Sequence, residues 1–209
     1  MRLNEQLAMW ADRLRDLSAL GLYFAGNLYD RQHYQAVQDI AMAMFALLAG
    51  ELPERLEPLR GPVFSRPTPF AVGDAAIIDD RGQILLIRRA DNGKWAMPGG
   101  ALEVGETPAE GVLREAFEET GVRCQVVTLI GVFDSRLCGT VSRHHMYQIT
   151  FLCRPVAGAQ VETPSHANEV LGMRWFAQDA LPDDMEAGHG TRIHKAFRMR
   201  HGSERAFFD

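Results

Sequence analysis

Cysteine is scarce in this 209-residue chain, and what there is cannot build a framework. Cys124, Cys138 and Cys153 are odd in number, lack CxxC spacing and have no paired histidines nearby. Free buried thiols in a reducing compartment are therefore expected, and a structural zinc site is not. Long apolar runs are missing too. None approaches the ~18–20 residues that a membrane span needs, and the first residues lack the basic, apolar and small-residue order of a secretory signal, so the expected location is cytoplasmic. There is no basic run, and a formal charge of −5 gives no footprint for nucleic acid. A small anionic substrate would have to be met by a few local Arg and Lys side chains. What is present is a hydrophobic content of 46%, enough to bury the core of one domain plus a small appendage.

The most informative stretch is GGALEVGETPAEGVLREAFEETGV, residues 99–122. Thr107 suits an N-cap, Pro108 the first helical position, Glu110 the acid of a capping box, and Gly121 a left-handed C-terminus; a helix is predicted close to 108–120. Helical periodicity gathers Ala109, Leu113, Ala116, Phe117 and Thr120 on one side, with Val112 at its margin, as the buried face. Glu115, Glu118 and Glu119 fall within an arc of about 100° on the other side, with Arg114 at the edge. A solvated face laced by Glu110–Arg114 and Arg114–Glu118 pairs would be the ordinary explanation. Against it, Glu115 and Glu119 are a like-charged i,i+4 pair, and no Lys or Arg is placed to neutralise all three acids. A hard divalent cation taking oxygen ligands would do so.

The same stretch resembles the Nudix box of the Nudix hydrolases: Gly100, five residues, Glu106, seven residues, then Arg114-Glu115-Ala116-Phe117-Glu118-Glu119-Thr120-Gly121-Val122. Every fixed position of the pattern is present, with Ala116 a small choice at an aliphatic site. The resemblance implies an α/β/α sandwich with a mixed sheet. It also implies Mg²⁺- or Mn²⁺-dependent hydrolysis of a nucleoside diphosphate linked to a group X, giving a nucleoside monophosphate and X-phosphate. By the family's pattern the metal ligands are Glu115, Glu118 and Glu119, with the Gly99 carbonyl as a neutral oxygen. Arg114 belongs to the catalytic set as the residue that fixes carboxylate rotamers, and Gly100 and Glu106 support it. Glu169, in the polar loop SHANEV (165–170), is the first choice of general base outside the helix, ahead of Glu162 and Glu186. Arg88, Arg89 and Lys94 flank the strand entering the box and are the candidate phosphate contacts. His144 and His145 begin a strand, where alternation puts at most one of them in a cleft.

Upstream, Leu3, Leu7, Trp10, Leu14 and Leu17 recur at steps of four and three as a helix-packing seam, with Gly21 expected to end that helix. A second helix is predicted after Asp30, with Tyr34, Val37, Ala41, Met44 and Leu48 on one face. The expected organisation is a helical N-terminal domain (1–60), a Pro/Gly-rich linker (61–69) and an α/β domain (70–209). Strands are expected at 70–78, 83–87, 95–97, 124–133, 145–153 and 170–176, and a terminal helix at 190–200. The segment GLYFAGNLYDRQHYQAVQDIA is similar to the small helical domain preceding the Nudix domain in a bacterial subgroup that includes CDP-choline and ADP-ribose pyrophosphatases. That similarity carries the substrate expectation and allows a homodimer. The Pro that one ADP-ribose-selective group carries about fifteen residues beyond the box is replaced here by Arg136-Leu137-Cys138. Two rivals are a housecleaning deoxynucleoside triphosphate pyrophosphatase and a non-enzymatic nucleotide-sugar sensor. The sensor is disfavoured because Glu106, Glu115, Glu118 and Glu119 are all retained.

Overall fold

The computed structural model describes residues 3–65, 69–140 and 145–209. They form two compact units, a helical one before Pro69 that also takes in Glu103–Gly105, and an α/β one made of Pro69–Leu102 and Glu106–Asp209.

The helical unit is a hairpin of α1 (Leu3–Phe24) and α2 (Leu28–Ala49), followed by α3 (Pro53–Leu56) and short helical turns to Phe64. Gly21 does not end α1. A Cβ there would lie 2.2 Å from the Tyr34 ring, so the glycine lets α2 approach closely. Likewise α2 starts before Asp30, because the Asn27 side chain caps it by accepting the Asp30 N–H at 2.9 Å. Residues 61–64, expected as linker, are helical. Phe64 is buried edge-on against Phe45, and its carbonyl accepts from the buried Gln38 amide, which holds the chain down. Of the expected seam on α1, Leu7 and Leu14 are half-buried, whereas Leu3, Trp10 and Leu17, together with Phe24, are 72, 48, 57 and 53% exposed. These four recur every seven residues, so they form one exposed apolar stripe along α1.

The α/β unit is a sandwich of two sheets and two helices. One sheet has the order β4-β1-β6-β5-β8, the other β3-β2-β7. Their strands are β1 (Phe70–Ile77), β2 (Ile84–Arg89), β3 (Trp95–Ala96), β4 (Gly99–Ala101), β5 (Cys124–Asp134), β6 (Met146–Pro155), β7 (Val170–Phe176) and β8 (Phe207–Phe208). The larger sheet is mixed: β1 runs parallel to β6 and antiparallel to β4. Strand alternation sends neighbours in β1 and β2 into two cores. Ala75, Ile77 and Leu85 pack with Val112 and Ala116 of α4 (Pro108–Thr120). Ala76, Ile78, Ile84 and Leu86 pack with Ile193, Ala196 and Phe197 of α5 (His189–Arg200). The three cysteines are free thiols. Among the described residues, no single helix is long and apolar enough to cross a membrane.

Candidate active site

The site is built on α4, whose ends are fixed by its own sequence. Thr107 and Glu110 close a reciprocal capping box, Pro108 opens the first turn, and Gly121 takes φ +67° at the C-terminus. Glu110 is thus occupied as a cap and does not pair with Arg114. The buried face is rotated from the expected one. It comprises Gly111, Val112, Ala116, Glu119 and Thr120, with Leu113 and Phe117 only half-buried. The reason is tertiary: the Glu119 carboxylate turns inward under β4 and accepts the Gly99 N–H at 2.8 Å.

Arg114 organises the other acids. Its guanidinium grips Glu106 through two bonds of 3.0 and 2.9 Å, donates to Glu115 at 2.8 Å and Glu118 at 3.0 Å, and reaches the Ala101 carbonyl at 3.1 Å. One fork therefore locks three carboxylates in defined rotamers and ties α4 to the end of β4. A Cβ on Gly100 would stand 2.7 Å from the Glu115 carboxyl carbon, so any side chain there would displace that carboxylate. Burial pushes the Glu115 pKa up, opposed by Arg114. For Glu119, only 8% exposed, burial raises the pKa to about 8; Glu115 and Glu169 add to the rise, and the Gly99 N–H and Arg89 oppose it.

Glu115 and Glu119 line a cleft of about 720 Å³ together with Gly99, Gly100, Arg89, Asp91, His166 and Glu169. Of the basic candidates, only Arg89 lines it. Arg88 is exposed and donates to the Gly93 carbonyl at 2.8 Å, and Lys94 is exposed outside the lining. Arg89 itself is paired with Asp91 at 2.6 Å. Glu169 reaches the rim because its backbone carbonyl accepts from Ala90 at 2.8 Å, pinning the loop before β7 to the end of β2. Glu162 pairs with Arg123 at 2.7 Å instead. His145 bonds the Asp134 carboxylate at 3.0 Å, and His144 lies outside the described residues.

A second cavity of about 330 Å³ shares Arg89, Asp91, Gly99 and Gly100 with the cleft and continues to Asp74, Gln148, Glu186 and His189. Behind it lies Arg192, fully buried, with Nη2 3.3 Å from Asp74 Oδ2 and Nη1 donating to Gln148. His189 accepts the Met97 N–H through Nδ1 at 3.2 Å, and burial drives its pKa down to about 4, so it stands neutral. This wall is not evident in the linear sequence, where no spacing links it to the box, whereas His166 sits in the SHANEV loop chosen for Glu169, where the sequence reading takes only the acid.

The donor set fits a divalent cation. One ligand atom each of Glu115, Glu118 and His166 lie within 4.8 Å of one another, and Arg114 donates to both carboxylates. Hard oxygens on a rigid helix with a charge-assisted support are the requirement for such a site.

Comparison with known proteins gives the family of both units. A family model described as the NUDIX domain matches residues 68–196. A second, described as the UDP-X-like, N-terminal oligomerisation domain, matches residues 5–59. The Bacillus subtilis protein YjhB, provisionally named an ADP-ribose pyrophosphatase, is 30% identical over 202 residues and 95% of each chain. An ADP-ribose pyrophosphatase of Methanocaldococcus jannaschii is 39% identical over 135 residues, 63% of this chain and 76% of that one. A crystal structure of a UDP-X diphosphatase superposes over 99% of both chains with a TM-score of 0.60 at 25% identity.

Proposed function

Because this chain belongs to the Nudix hydrolase family, whose reaction is cleavage of phosphoric anhydride bonds, we propose that its substrate is a nucleoside diphosphate joined to a further group X. Compounds of the CDP-choline or ADP-ribose type are meant. The observation that carries the reading is the cleft lined jointly by Glu115, Glu119, Arg89 and the Gly99–Gly100 backbone. The relatives that share both units of the chain, named for ADP-ribose and UDP-X, support the choice of X-linked diphosphates.

In this reading Glu115, Glu118, Glu119 and the Gly99 carbonyl hold the cation, Mg²⁺ or Mn²⁺. When bound, such an ion neutralises phosphate oxygens and lowers the pKa of the attacking water. Arg114 is a positioning residue acting through Glu115 and Glu118, and Glu106 holds Arg114 in turn. Arg89 exchanges Asp91 for phosphate oxygens and stabilises the charge that builds on phosphorus. Glu169, at the rim, takes the proton from water as its oxygen bonds to phosphorus and the bridging P–O bond breaks. The products are a nucleoside monophosphate and X-phosphate. The second cavity takes one end of the substrate, since it opens off the same Arg89 and glycine wall. The exposed heptad stripe Leu3, Trp10, Leu17 and Phe24 is the surface through which two copies form a homodimer, in the cytoplasm.

The test is a panel with Mg²⁺ or Mn²⁺ of CDP-choline, ADP-ribose, a UDP-sugar, NADH, a dinucleoside polyphosphate and deoxynucleoside triphosphates, read by product identity beside Glu119→Gln. Release of a nucleoside monophosphate from an X-linked diphosphate, lost in the variant, is expected. Pyrophosphate release from a triphosphate alone would select the housecleaning reaction. Binding without turnover by any of them would select a sensor.

A further inference from the structure

We propose that His166 is a ligand of the catalytic cation and makes this site select transition-metal divalents over Mg²⁺. The inference rests on the metal dependence argued above and adds a nitrogen donor to an oxygen set. His166 comes from the loop before β7, in the SHANEV segment, some fifty residues beyond α4 in the chain. The fold nonetheless brings a ring nitrogen within 4.8 Å of carboxylate oxygens of both Glu115 and Glu118, the set in which each residue offers one ligand atom.

The placement is built in. The His166 backbone N–H donates to the Glu118 carbonyl at 2.9 Å, the Glu169 N–H returns to the His166 carbonyl at 2.9 Å, and the Glu169 carbonyl accepts from Ala90 at 2.8 Å. The loop is thereby clamped between the last turn of α4 and the end of β2. The imidazole Nδ1 stands 3.8 Å from Glu118 Oε2, too far for a hydrogen bond and at the separation of two ligands sharing an ion. On the carboxylate side, Arg114 donates to Glu115 Oε1 and to Glu118 Oε2, the oxygen nearest His166, which fixes both rotamers and leaves Glu115 Oε2 and Glu118 Oε1 as the second oxygens of the set. Glu119, whose Oε2 accepts the Gly99 N–H, is not one of the three clustered residues and adds its carboxylate to the oxygen set argued above.

Mg²⁺ is a hard ion that keeps oxygen ligands and near-ideal octahedral geometry, whereas neutral imidazole suits the first-row transition ions. A Glu–Glu–His set therefore shifts affinity away from Mg²⁺, most strongly toward Co²⁺ and to a smaller degree toward Mn²⁺, in a way the box carboxylates alone would not.

The experiment uses the full chain without substrate. Mn²⁺ and Mg²⁺ affinities are measured by calorimetry for wild type, His166→Ala and Glu115→Gln, with ¹⁴N spin-echo modulation of bound Mn²⁺ and the visible spectrum of bound Co²⁺. His166 is partly exposed, and circular dichroism checks that each variant is folded. The expected result is imidazole ¹⁴N modulation in wild type that vanishes in His166→Ala. The Mn²⁺ Kd of that variant weakens by about tenfold or more, while its Mg²⁺ Kd changes by less than about twofold. Unchanged Mn²⁺ affinity and no ¹⁴N signal, with Glu115→Gln still losing the metal, would overturn the role of His166 and leave the hydrolase reading standing. Equal weakening of both ions in His166→Ala would overturn the selectivity. Metal binding that survives Glu115→Gln would count against the box site itself.

Discussion

Glu119 gives the sharpest quantitative test, because it is a carboxylate that the fold buries for a purpose other than stability. Its ordinary pKa of 4.5 is raised to about 8, chiefly by desolvation. A folded-state pKa above the unfolded value means that the native state favours the protonated acid. Below about pH 4.5 both states are neutral and no penalty exists. Between 4.5 and 8 the unfolded chain ionises while the native carboxyl keeps its proton. Metal-free stability then falls by about 1.4 kcal/mol per pH unit and levels off above 8. At pH 7 the accumulated loss is about 3 kcal/mol, as an upper bound, since water entering the cleft relieves part of it. Glu119→Gln keeps an oxygen for the Gly99 N–H and removes the ionisation.

The assay is urea unfolding in EDTA at pH 5, 6, 7 and 8, followed by the fluorescence of Trp95 and Trp175 in the α/β unit, with Trp10 replaced by Phe in both proteins. The variant is expected to match wild type within about 1 kcal/mol at pH 5 and to exceed it by roughly 1–3 kcal/mol at pH 7. Adding Mn²⁺ should raise wild-type stability and reverse the order, because binding to the native state adds to it by mass action. A stability difference independent of pH, or a variant less stable at pH 8 than at pH 5 relative to wild type, would refute the argument that this carboxylate is held under strain for a cation.

Further outcomes follow from the same geometry. Gly100→Ala places a methyl group against the Glu115 carboxylate, a flexible chain end that can shift, so turnover should drop by about tenfold or more while Tm moves little; a thermal shift without kinetic change would contradict this. Arg192→Ala leaves Asp74 buried without its cation, and chemical denaturation should show a loss of about 3–5 kcal/mol. A loss under about 1 kcal/mol would mean that the pair is solvated. Trp10→Glu with Leu17→Glu puts charge into the exposed stripe of α1, and light scattering should record a shift from dimer to monomer with helicity retained; an unchanged mass would remove that stripe from the interface.

The sequence by itself determined the parts of this protein whose causes are local. The caps of α4 lie within the residues that form it, so Thr107, Pro108, Glu110 and Gly121 could be read directly. The fixed spacing from Gly100 to Val122 carried the family, and strand alternation marked β1, β2 and β5–β7 close to their observed limits. Tertiary structure decided everything that depends on what lies opposite. The buried face of α4 turned toward Glu119 because the Gly99 N–H needed an acceptor, a demand that no helical wheel contains. Gly21 served packing against Tyr34 and not termination, since a glycine reads the same whether it ends a helix or admits a neighbour. Only Arg89 of three basic residues reached the cleft, because its neighbour Arg88 is drawn to the Gly93 carbonyl. His166 meets Glu115 and Glu118 of α4, and Asp74 of β1 meets Arg192 of α5, and contacts between residues so distant in the chain leave no periodicity to detect.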